Sequence, residues 1–370
     1  MEKYKECETE IKSDTNTDVE FYLVDAFEIF HFEPFYIELR KKNINAVFIA
    51  EPWETNTSGK WFDYDSAIKI LDEKGYVYHK FVNVNCKCAI TTQQKDILKK
   101  YTNAKKIQLI YGIGFLKKVQ FQLKDFLKDP FDYYFVNGGY YKDKFLKLGG
   151  SIYNIIDVSY PKHRDFFKRG YEKQKLIKEL GIHTDKPILL YYPTWDEYSS
   201  IKEFADRIGE NSSISVYYNE LKSLKDTYYI VTKPHHCTFR LKSKKNDLKK
   251  LYDVSDMVLD GNYDFAKTTI LADLAICDSK SASSTEIPFL NPDIKMVMIL
   301  VNTIREDYDY PLDNIYCVVE EPHNLIDNVK KVMINDKWKN NRNEIIKYTY
   351  SGDVEEGLNR GLRIILDIIK

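Results

Sequence analysis

A run of small hydroxyl side chains directly follows a mostly apolar stretch in the second half of the chain. Residues 272–277 are typical of a buried parallel strand. The polar side chains behind it are Asp278, Ser279, Ser281, Ser283, Ser284 and Glu286, and Glu286 is predicted to open a helix. Free N–H groups at the start of a helix, together with hydroxyls, favour a bound anion. The stretch therefore predicts an anion site or, as the alternative, ordinary serine capping of a helix.

Two adjacent histidines follow another predicted strand. The strand Tyr228–Thr232 runs directly into Lys233, Pro234, His235 and His236. A histidine in a loop can act as an acid near neutral pH, or as a cationic donor to phosphate. The alternative is a solvated or structural histidine. Because Lys233 stands beside the pair and all of them follow a strand end, the segment predicts a phosphate-binding loop.

Two further patterns contain potential ligands. Tyr111 and Gly112 open a glycine-containing turn with Lys117 behind it, and its spacing is neither a dinucleotide fingerprint nor a phosphate loop. Residues 63–65 and 307–309 both read Asp-Tyr-Asp, a spacing that can hold a divalent cation or simply belong to a surface loop. We expect no metal site, because no second cysteine pair completes a zinc-like set.

Strands that alternate with helices must position these loops. The predicted strands include Glu20–Ile29 in the first half and Ile188–Tyr192 in the second, where Thr194 and Trp195 follow the strand end. Helices of 8–15 residues separate such strands along the chain. The alternation predicts an α/β fold with two doubly wound parallel sheets. Ligands of such sheets lie beyond the carboxyl ends of the strands, which selects the loops named above and His31.

The pattern restarts near the middle of the chain, which predicts two domains. We expect a flexible lead-in over 1–18, a first Rossmann-like domain over 19–165 and a linker over 166–186. A second Rossmann-like domain is expected over 187–350, followed by a C-terminal helix over 351–370 that could cross back to the first domain.

Composition excludes several classes of protein. Lys and Arg total 55 against 56 Asp and Glu, so bulk charge does not favour nucleic-acid binding. Of six cysteines only Cys86 and Cys88 lie close together, which indicates reduced thiols and a cytoplasmic location. The N-terminus lacks the apolar core of a signal peptide, and no apolar window is long enough to span a membrane.

Taken together, these segments resemble the CDP-glycerol:poly(glycerophosphate) glycerophosphotransferase family, whose members build teichoic-acid-type polymers. Residues 188–195 (ILLYYPTW) resemble the family's strand ending in A-P-T-W, and residues 231–236 (VTKPHH) resemble its K-x-H-P loop. Residues 272–286 resemble its A-D-x-L-I-T-D-Y-S-S segment. Further similar segments are the connecting stretches 134–149 and 157–167 and the closing stretch 350–365.

The resemblance implies a GT-B fold, with an acceptor domain first and a nucleotide-donor domain second. It implies transfer of a glycerol-phosphate-type unit from a CDP-activated donor to an acceptor hydroxyl, with release of CMP. A polymer or lipid-linked acceptor and peripheral contact with the inner face of an anionic cell membrane are implied as well. No cofactor is expected, because helix dipoles and basic side chains can neutralise the leaving group. The oligomeric state is left open.

The same resemblance assigns roles to individual residues. His235 would bind or protonate the pyrophosphate, while Ser279 and Ser281 would hold phosphate close to Thr194. The remaining donor-side residues are Trp195, Lys233, His236, Asp278, Ser283, Ser284 and Glu286. The acceptor-side residues are His31, Gly112 and Lys117.

This sequence departs from the family pattern at three positions. Tyr111 stands where the family has the histidine that would act as base, His236 replaces a proline, and Lys280 splits the serine pair. A phenol with an ordinary pKa of about 10 is a poor base at neutral pH. Tyr111 is therefore the catalytic candidate by position, and the alternatives for the base are Asp25, His31 and Glu33.

Two other functions fit the same fold. One is a nucleotide-sugar glycosyltransferase, because a fold fixes neither donor nor reaction. The other is a degenerate GT-B protein that binds a nucleotide or a partner without turnover. For membrane contact, Lys117, Lys118, Lys124 and Lys128, with phenylalanines between them, could form a basic amphipathic face. A solvated helix with a buried aromatic stripe is the alternative.

Overall fold

Two separate parallel sheets organise the chain. The computed structural model describes residues 17–52, 54–56, 63–92, 99–110, 131–147, 149–194, 212–240, 245–279, 281–301, 309–350 and 352–370. Most of the predicted lead-in lies outside these ranges. So do the predicted basic face and the predicted site residues Tyr111, Gly112, Lys117 and Trp195.

The first sheet contains seven strands of the described residues. They are β1 (Val19–Tyr22), β2 (Ala46–Ile49), β3 (Tyr78–His79), β4 (Cys88–Thr91), β5 (Lys105–Leu109), β6 (Tyr133–Val136) and β7 (Ile155–Asp157). Their order is β3-β2-β1-β4-β5-β6-β7, with all pairs parallel. In register, Val19 lies opposite Ala46 on one side and Cys88 on the other. The strand order therefore reverses direction between β1 and β4.

The second sheet repeats this plan with six strands of the described residues. They are β8 (Ile188–Tyr192), β9 (Tyr229–Thr232), β10 (Met257–Val258), β11 (Leu274–Asp278), β12 (Lys295–Ile299) and β13 (Cys317–Val319). Their order is β10-β9-β8-β11-β12-β13, again with all pairs parallel, and it reverses between β8 and β11. Every residue of β8 and β11 is buried, as expected for central strands covered on both faces.

Helices connect the strands and cover both sheets. In the first half and the connection they are α1 (Ile29–Lys41), α2 (Tyr64–Lys74), α3 (Gly139–Lys147), α4 (Arg164–Arg169) and α5 (Lys173–Glu179). In the second half they are α6 (Ser213–Val216), α7 (Tyr218–Leu224), α8 (His236–Arg240), α9 (Lys245–Val254), α10 (Phe265–Leu271), α11 (Ser283–Leu290), α12 (Leu325–Ile334), α13 (Lys339–Thr349) and α14 (Val354–Ile369). Short 3₁₀ turns occupy Ala26–Glu28, Pro161–His163, Leu312–Asn314 and Pro322–Asn324. The predicted fold class is confirmed.

The predicted extent of the first strand is wrong. The strand ends at Tyr22, and the 3₁₀ turn and α1 occupy residues that were predicted to be extended. The carboxylate of Glu28 is buried in this turn, where Oε2 accepts hydrogen bonds from the N–H groups of Val24 (2.7 Å) and Asp25 (3.3 Å). This contact closes the chain into a turn, so Asp25 lies in a loop at the carboxyl end of β1.

The last helix, α14, packs against the first sheet rather than the second. Leu358, Leu362 and Ile365 are buried in one apolar cluster with Phe21 and Phe135 of that sheet. Arg164 adds a polar link, because its guanidinium donates to Glu355 of α14 at 2.6 and 2.7 Å and to Glu38 of α1 at 2.6 Å. The chain therefore passes between the two halves twice.

Close contact between α14 and the first sheet depends on Gly357. A Cβ atom there would lie 2.2 Å from the carbonyl oxygen of Val158, which is backbone and cannot rotate away. We expect Gly357→Ala to lower the free energy of unfolding by about 3 kcal/mol, the upper end for overpacking, in spite of alanine's higher helix propensity. Urea unfolding measures this change. Gly352→Ala is the control because nothing lies within 4 Å of its added Cβ, and equal effects of the two substitutions would contradict the prediction.

Candidate functional site between the two sheets

The points at which the two strand orders reverse mark the candidate site. In open parallel sheets, ligands bind beyond the carboxyl ends of the strands on either side of such a reversal. In the first sheet this places Asp25, after β1, at the site. In the second sheet it selects Thr194, after β8, and the segment from Asp278 onward, at the end of β11.

Asp278 fixes the loop that carries Thr194. Its buried carboxylate oxygen Oδ2 accepts hydrogen bonds from the Thr194 N–H at 2.7 Å and from the Ser213 hydroxyl at 2.9 Å. Buried carboxylates need such donors to offset the loss of water. Asp278, which was predicted on the donor side, thus joins the ends of β8 and β11 and positions Thr194 at the reversal point.

The serine turn after β11 is held by hydrogen bonds between its own residues. The predicted helix start at Glu286 is wrong, because α11 begins three residues earlier, at Ser283. The hydroxyl oxygen of Ser281 accepts from the Ser283 N–H at 3.2 Å and from the Ser283 hydroxyl at 2.6 Å. The Ser284 hydroxyl donates to the Ser281 carbonyl at 2.8 Å, and the Ser279 N–H donates to Ile299. These hydroxyl contacts lie within the turn, and the prediction of an anion site at this turn stays a prediction.

Glu286 connects the second sheet to the turn Pro161–His163 that follows the first. Its buried Oε1 lies 2.7 Å from the Lys162 Nζ and 2.5 Å from the His163 Nε2. Burial alone would raise the pKa of Glu286, but the attraction of Lys162 and the His163 hydrogen bond outweigh it and hold that pKa below its ordinary value. Burial lowers the pKa of His163, so Lys162 supplies the countercharge and neutral His163 donates its Nε2–H.

Lys233 brings a second ammonium group to the same cluster. Its Nζ donates to the Gly261 carbonyl at 2.7 Å. Burial lowers the pKa of Lys233 to about 8, and repulsion by Lys162 adds to this effect, while Glu286, Asp260 and Asp264 oppose it. Two ammonium groups that repel each other in a partly buried space favour a bound anion, which would relieve the repulsion.

The two predicted histidines lie beside this cluster and face the first half of the chain. The His235 and His236 rings contact each other, with centroids 4.1 Å apart and an angle of 33° between their planes. His236 also packs on the Phe27 ring at 5.6 Å, and its Nε2 lies 3.7 Å from Asp25 Oδ2. Through His236, the pair thus contacts side chains that follow the carboxyl end of β1.

The other candidates from the first half have different surroundings. His31 is buried between Phe27 (5.9 Å) and Tyr160 (5.7 Å), and burial, with repulsion by Lys162, lowers its pKa well below the ordinary value. Glu33 is bound to Lys74 at 2.6 Å and to the Tyr76 hydroxyl at 2.5 Å. Of the alternative bases named from the sequence, Asp25 is the one whose carboxylate faces the histidine pair.

Sequence reasoning missed Lys162 and His163 as site residues. The segment that contains them, 157–167, was noted as a connecting stretch, and its Pro-Lys-His triplet directly after a strand end was the available signal. Their partner Glu286 is more than 120 residues away in sequence, so no local pattern indicates the pairing.

The two Asp-Tyr-Asp patterns show no cation site in the described residues. Asp63 caps α2 by accepting from the Ser66 N–H at 3.2 Å, and Asp309 is paired with Tyr140 and Lys144. Within the described ranges, no group of three His, Cys, Asp or Glu side chains is placed to hold a metal ion.

Two doubly wound parallel sheets, with a basic, histidine-containing cluster between them, define a protein of the GT-B fold. The sequence model of the CDP-Glycerol:Poly(glycerophosphate) glycerophosphotransferase family matches residues 42–282, and the chain therefore belongs to this family. The predictions of family, fold and enzyme class are confirmed. Neither the glycosyltransferase nor the degenerate binding protein is favoured by this match.

Solved structures of low sequence identity share the fold. A structure of the wall teichoic acid polymerase TagF is 15% identical, with 97% of this chain and 91% of that chain covered and a TM-score of 0.60. A TagF variant soaked with CDPG is 16% identical, with 97% and 90% covered and a TM-score of 0.60. UDP-GlcNAc 2-epimerase from Neisseria meningitidis bound to UDP-GlcNAc is 12% identical, with 95% and 100% covered and a TM-score of 0.57. No curated protein sequence matches the chain.

Proposed function

We propose that this chain transfers a glycerol-phosphate unit from CDP-glycerol to an acceptor hydroxyl of a teichoic-acid-like surface polymer, releasing CMP. In this proposal residues 19–165 bind the acceptor and residues 187–350 bind the nucleotide donor. Membership of the glycerophosphotransferase family supports the reaction class. The CDPG-soaked TagF variant, which has the same fold, supports the choice of donor.

The observation that supports the proposal best is the group of cations and imidazoles between the two sheets. Lys162 comes from the turn after β7, whereas Lys233, His235 and His236 come from the loop after β9. Lys162 and Lys233 are close enough to lower the pKa of Lys233. A bound pyrophosphate would supply negative charge between these cations. It would thereby offset the repulsion between the two lysine ammonium groups.

The reaction consists of one displacement at phosphorus. The acceptor oxygen forms a bond to the phosphorus that bears the glycerol, and the bond from that phosphorus to the CMP oxygen breaks, with the electron pair leaving on CMP. The acceptor proton passes to a base, and negative charge increases on the leaving phosphate. Lys233, His235 and His236 would neutralise that charge, and Thr194 would bind the same phosphate.

We further propose that no resident metal or cofactor is needed, because the cations of the site can neutralise the leaving group. The acceptor is a polymer or a lipid-linked primer at the inner face of the cell membrane, which the protein would contact peripherally. In the described parts of the chain, no helix is long and apolar enough to cross a membrane. Cys86, Cys88, Cys277 and Cys317 are free and buried, which suits a reducing cytoplasm.

A thermal-shift panel tests the donor. We expect CDP-glycerol at about 100 times its Kd to stabilise the protein by about 2.7 kcal/mol and to raise its Tm by several degrees. CDP and CMP should give smaller rises, and UDP-GlcNAc should give none, since the proposal assigns a cytidine donor. Release of CMP in the presence of a glycerol-phosphate primer then measures turnover. A rise with UDP-GlcNAc and none with cytidine compounds would contradict the proposal.

A further inference from the structure

Residues from both halves of the molecule contact His236. On one side Gly261 packs against its backbone so closely that an added Cβ atom would lie 2.7 Å from the His236 Cα. Lys233 fixes that glycine through its carbonyl. On the other side the Phe27 ring and the Asp25 carboxylate, both from the turn after β1, face the imidazole. The orientation of His236 thus depends on groups from both sheets.

The turn after β1 holds the Asp25 carboxylate next to His236. The buried Glu28 accepts hydrogen bonds from the Val24 and Asp25 N–H groups, and this fixes the backbone of the turn. Burial raises the pKa of Glu28 to about 8. Asp25 itself keeps about one fifth of its side chain exposed, which leaves the carboxylate reachable from the cleft.

The two adjacent histidines compete for positive charge. With ring centroids 4.1 Å apart, protonation of one imidazole disfavours protonation of the other. Asp25 Oδ2 lies within ion-pair distance of Nε2 of His236, and Asp260 precedes the glycine that contacts His236. The Asp25 carboxylate therefore favours positive charge on His236.

We propose that Asp25 is a positioning residue that orients His236 and favours positive charge on its imidazole. Because Asp25 belongs to the first sheet and His236 to the second, this pairing forms only when the two loops face each other. A carboxylate from the first half of the chain thus acts on the charge of a histidine in the second half. Its effect on transfer depends on the proposed function, since the charged His236 would face the leaving pyrophosphate.

Titration of the seven histidines by NMR tests the charge assignment without any ligand. The His236 resonance is identified by its loss in His236→Gln. We expect Asp25→Asn to move the His236 titration midpoint down by about one pH unit or more, and Asp25→Glu to restore most of the shift. Asp65→Asn, which removes an exposed carboxylate in α2, should leave the midpoint unchanged. A His236 midpoint that does not move in Asp25→Asn would overturn the inference.

A kinetic measurement then separates this inference from the proposed function. In Asp25→Asn we expect kcat for CMP release to fall about 10- to 100-fold while KM for CDP-glycerol changes less than threefold, because the charge acts mainly in the transition state. Asp25→Glu should recover most of kcat. An active wild type with unchanged kcat in Asp25→Asn rejects the inference alone. A wild type with no transfer from CDP-glycerol, combined with the NMR shift, rejects the proposed function alone.

Discussion

Replacing His235 by alanine is expected to lower kcat for transfer by about 10²- to 10⁴-fold, the usual contribution of a positioned acid or base. The His235 side chain follows the end of β9 and contacts the His236 ring. Alanine removes the imidazole but leaves Lys233 and His236, so the donor should still bind. Release of CMP measures the loss, and an unchanged Tm without ligand shows that the fold is intact.

The matched control for His235 is His183→Ala. His183 is exposed in the connection between α5 and β8, and we expect its substitution to leave transfer unchanged. A His235→Ala protein with full activity would refute the role assigned to His235. Equal losses in both variants would show that the assay responds to histidine substitution in general.

Replacing Glu286 by alanine should cause the largest loss of stability among these changes. The substitution leaves the Lys162 ammonium and the buried His163 without their common partner. Removing one member of a buried ion pair typically costs about 3–5 kcal/mol, because the remaining charge stays desolvated. We expect a decrease of that size in the free energy of unfolding at pH 7, measured by urea denaturation. Glu344→Ala, at an exposed position of α13, should change it by less than about 0.5 kcal/mol.

The pH dependence of the Glu286 effect has a definite sign. The pKa of Glu286 is held below its ordinary value of 4.5, so the native state favours the charged carboxylate. Its contribution to stability is complete above the unfolded value and is lost as the pH falls through the folded value. The difference in stability between the wild type and Glu286→Gln should therefore persist at pH 7 and shrink below about pH 4.5. A difference that grows on acidification would contradict the assigned ion pair.

The loops of the second half could be predicted because their strands are continuous apolar segments. Buried parallel strands such as β8 and β11 stand out in the sequence, and a rule of open sheets places ligands at their carboxyl ends. The positions of Lys233 and His235 at a strand end followed from this reasoning.

The contributions of the first half were harder to predict. Asp25 lies in a stretch whose apolar character predicted a longer strand, and the turn that ends the strand depends on the side chain of Glu28. The hydroxyl residues after β11 predicted either an anion site or a serine cap, whereas Ser281 accepts hydrogen bonds from Ser283 and Ala282 stands at the N-cap of α11. The ion pair between Glu286 and Lys162 depends on how the two halves pack against each other. The spacing of residues along the chain does not indicate that packing.

The return of α14 to the first sheet has a consequence for biosynthesis. A ribosome delivers residues 19–165 first, yet one apolar face of their sheet is covered by residues 354–369, which emerge after the whole second half. Part of this apolar face, beside Phe35 and Phe135, therefore stays uncovered while the second half is translated. Such exposure during synthesis favours engagement by a chaperone. The half that is made first is thus the half that finishes folding last.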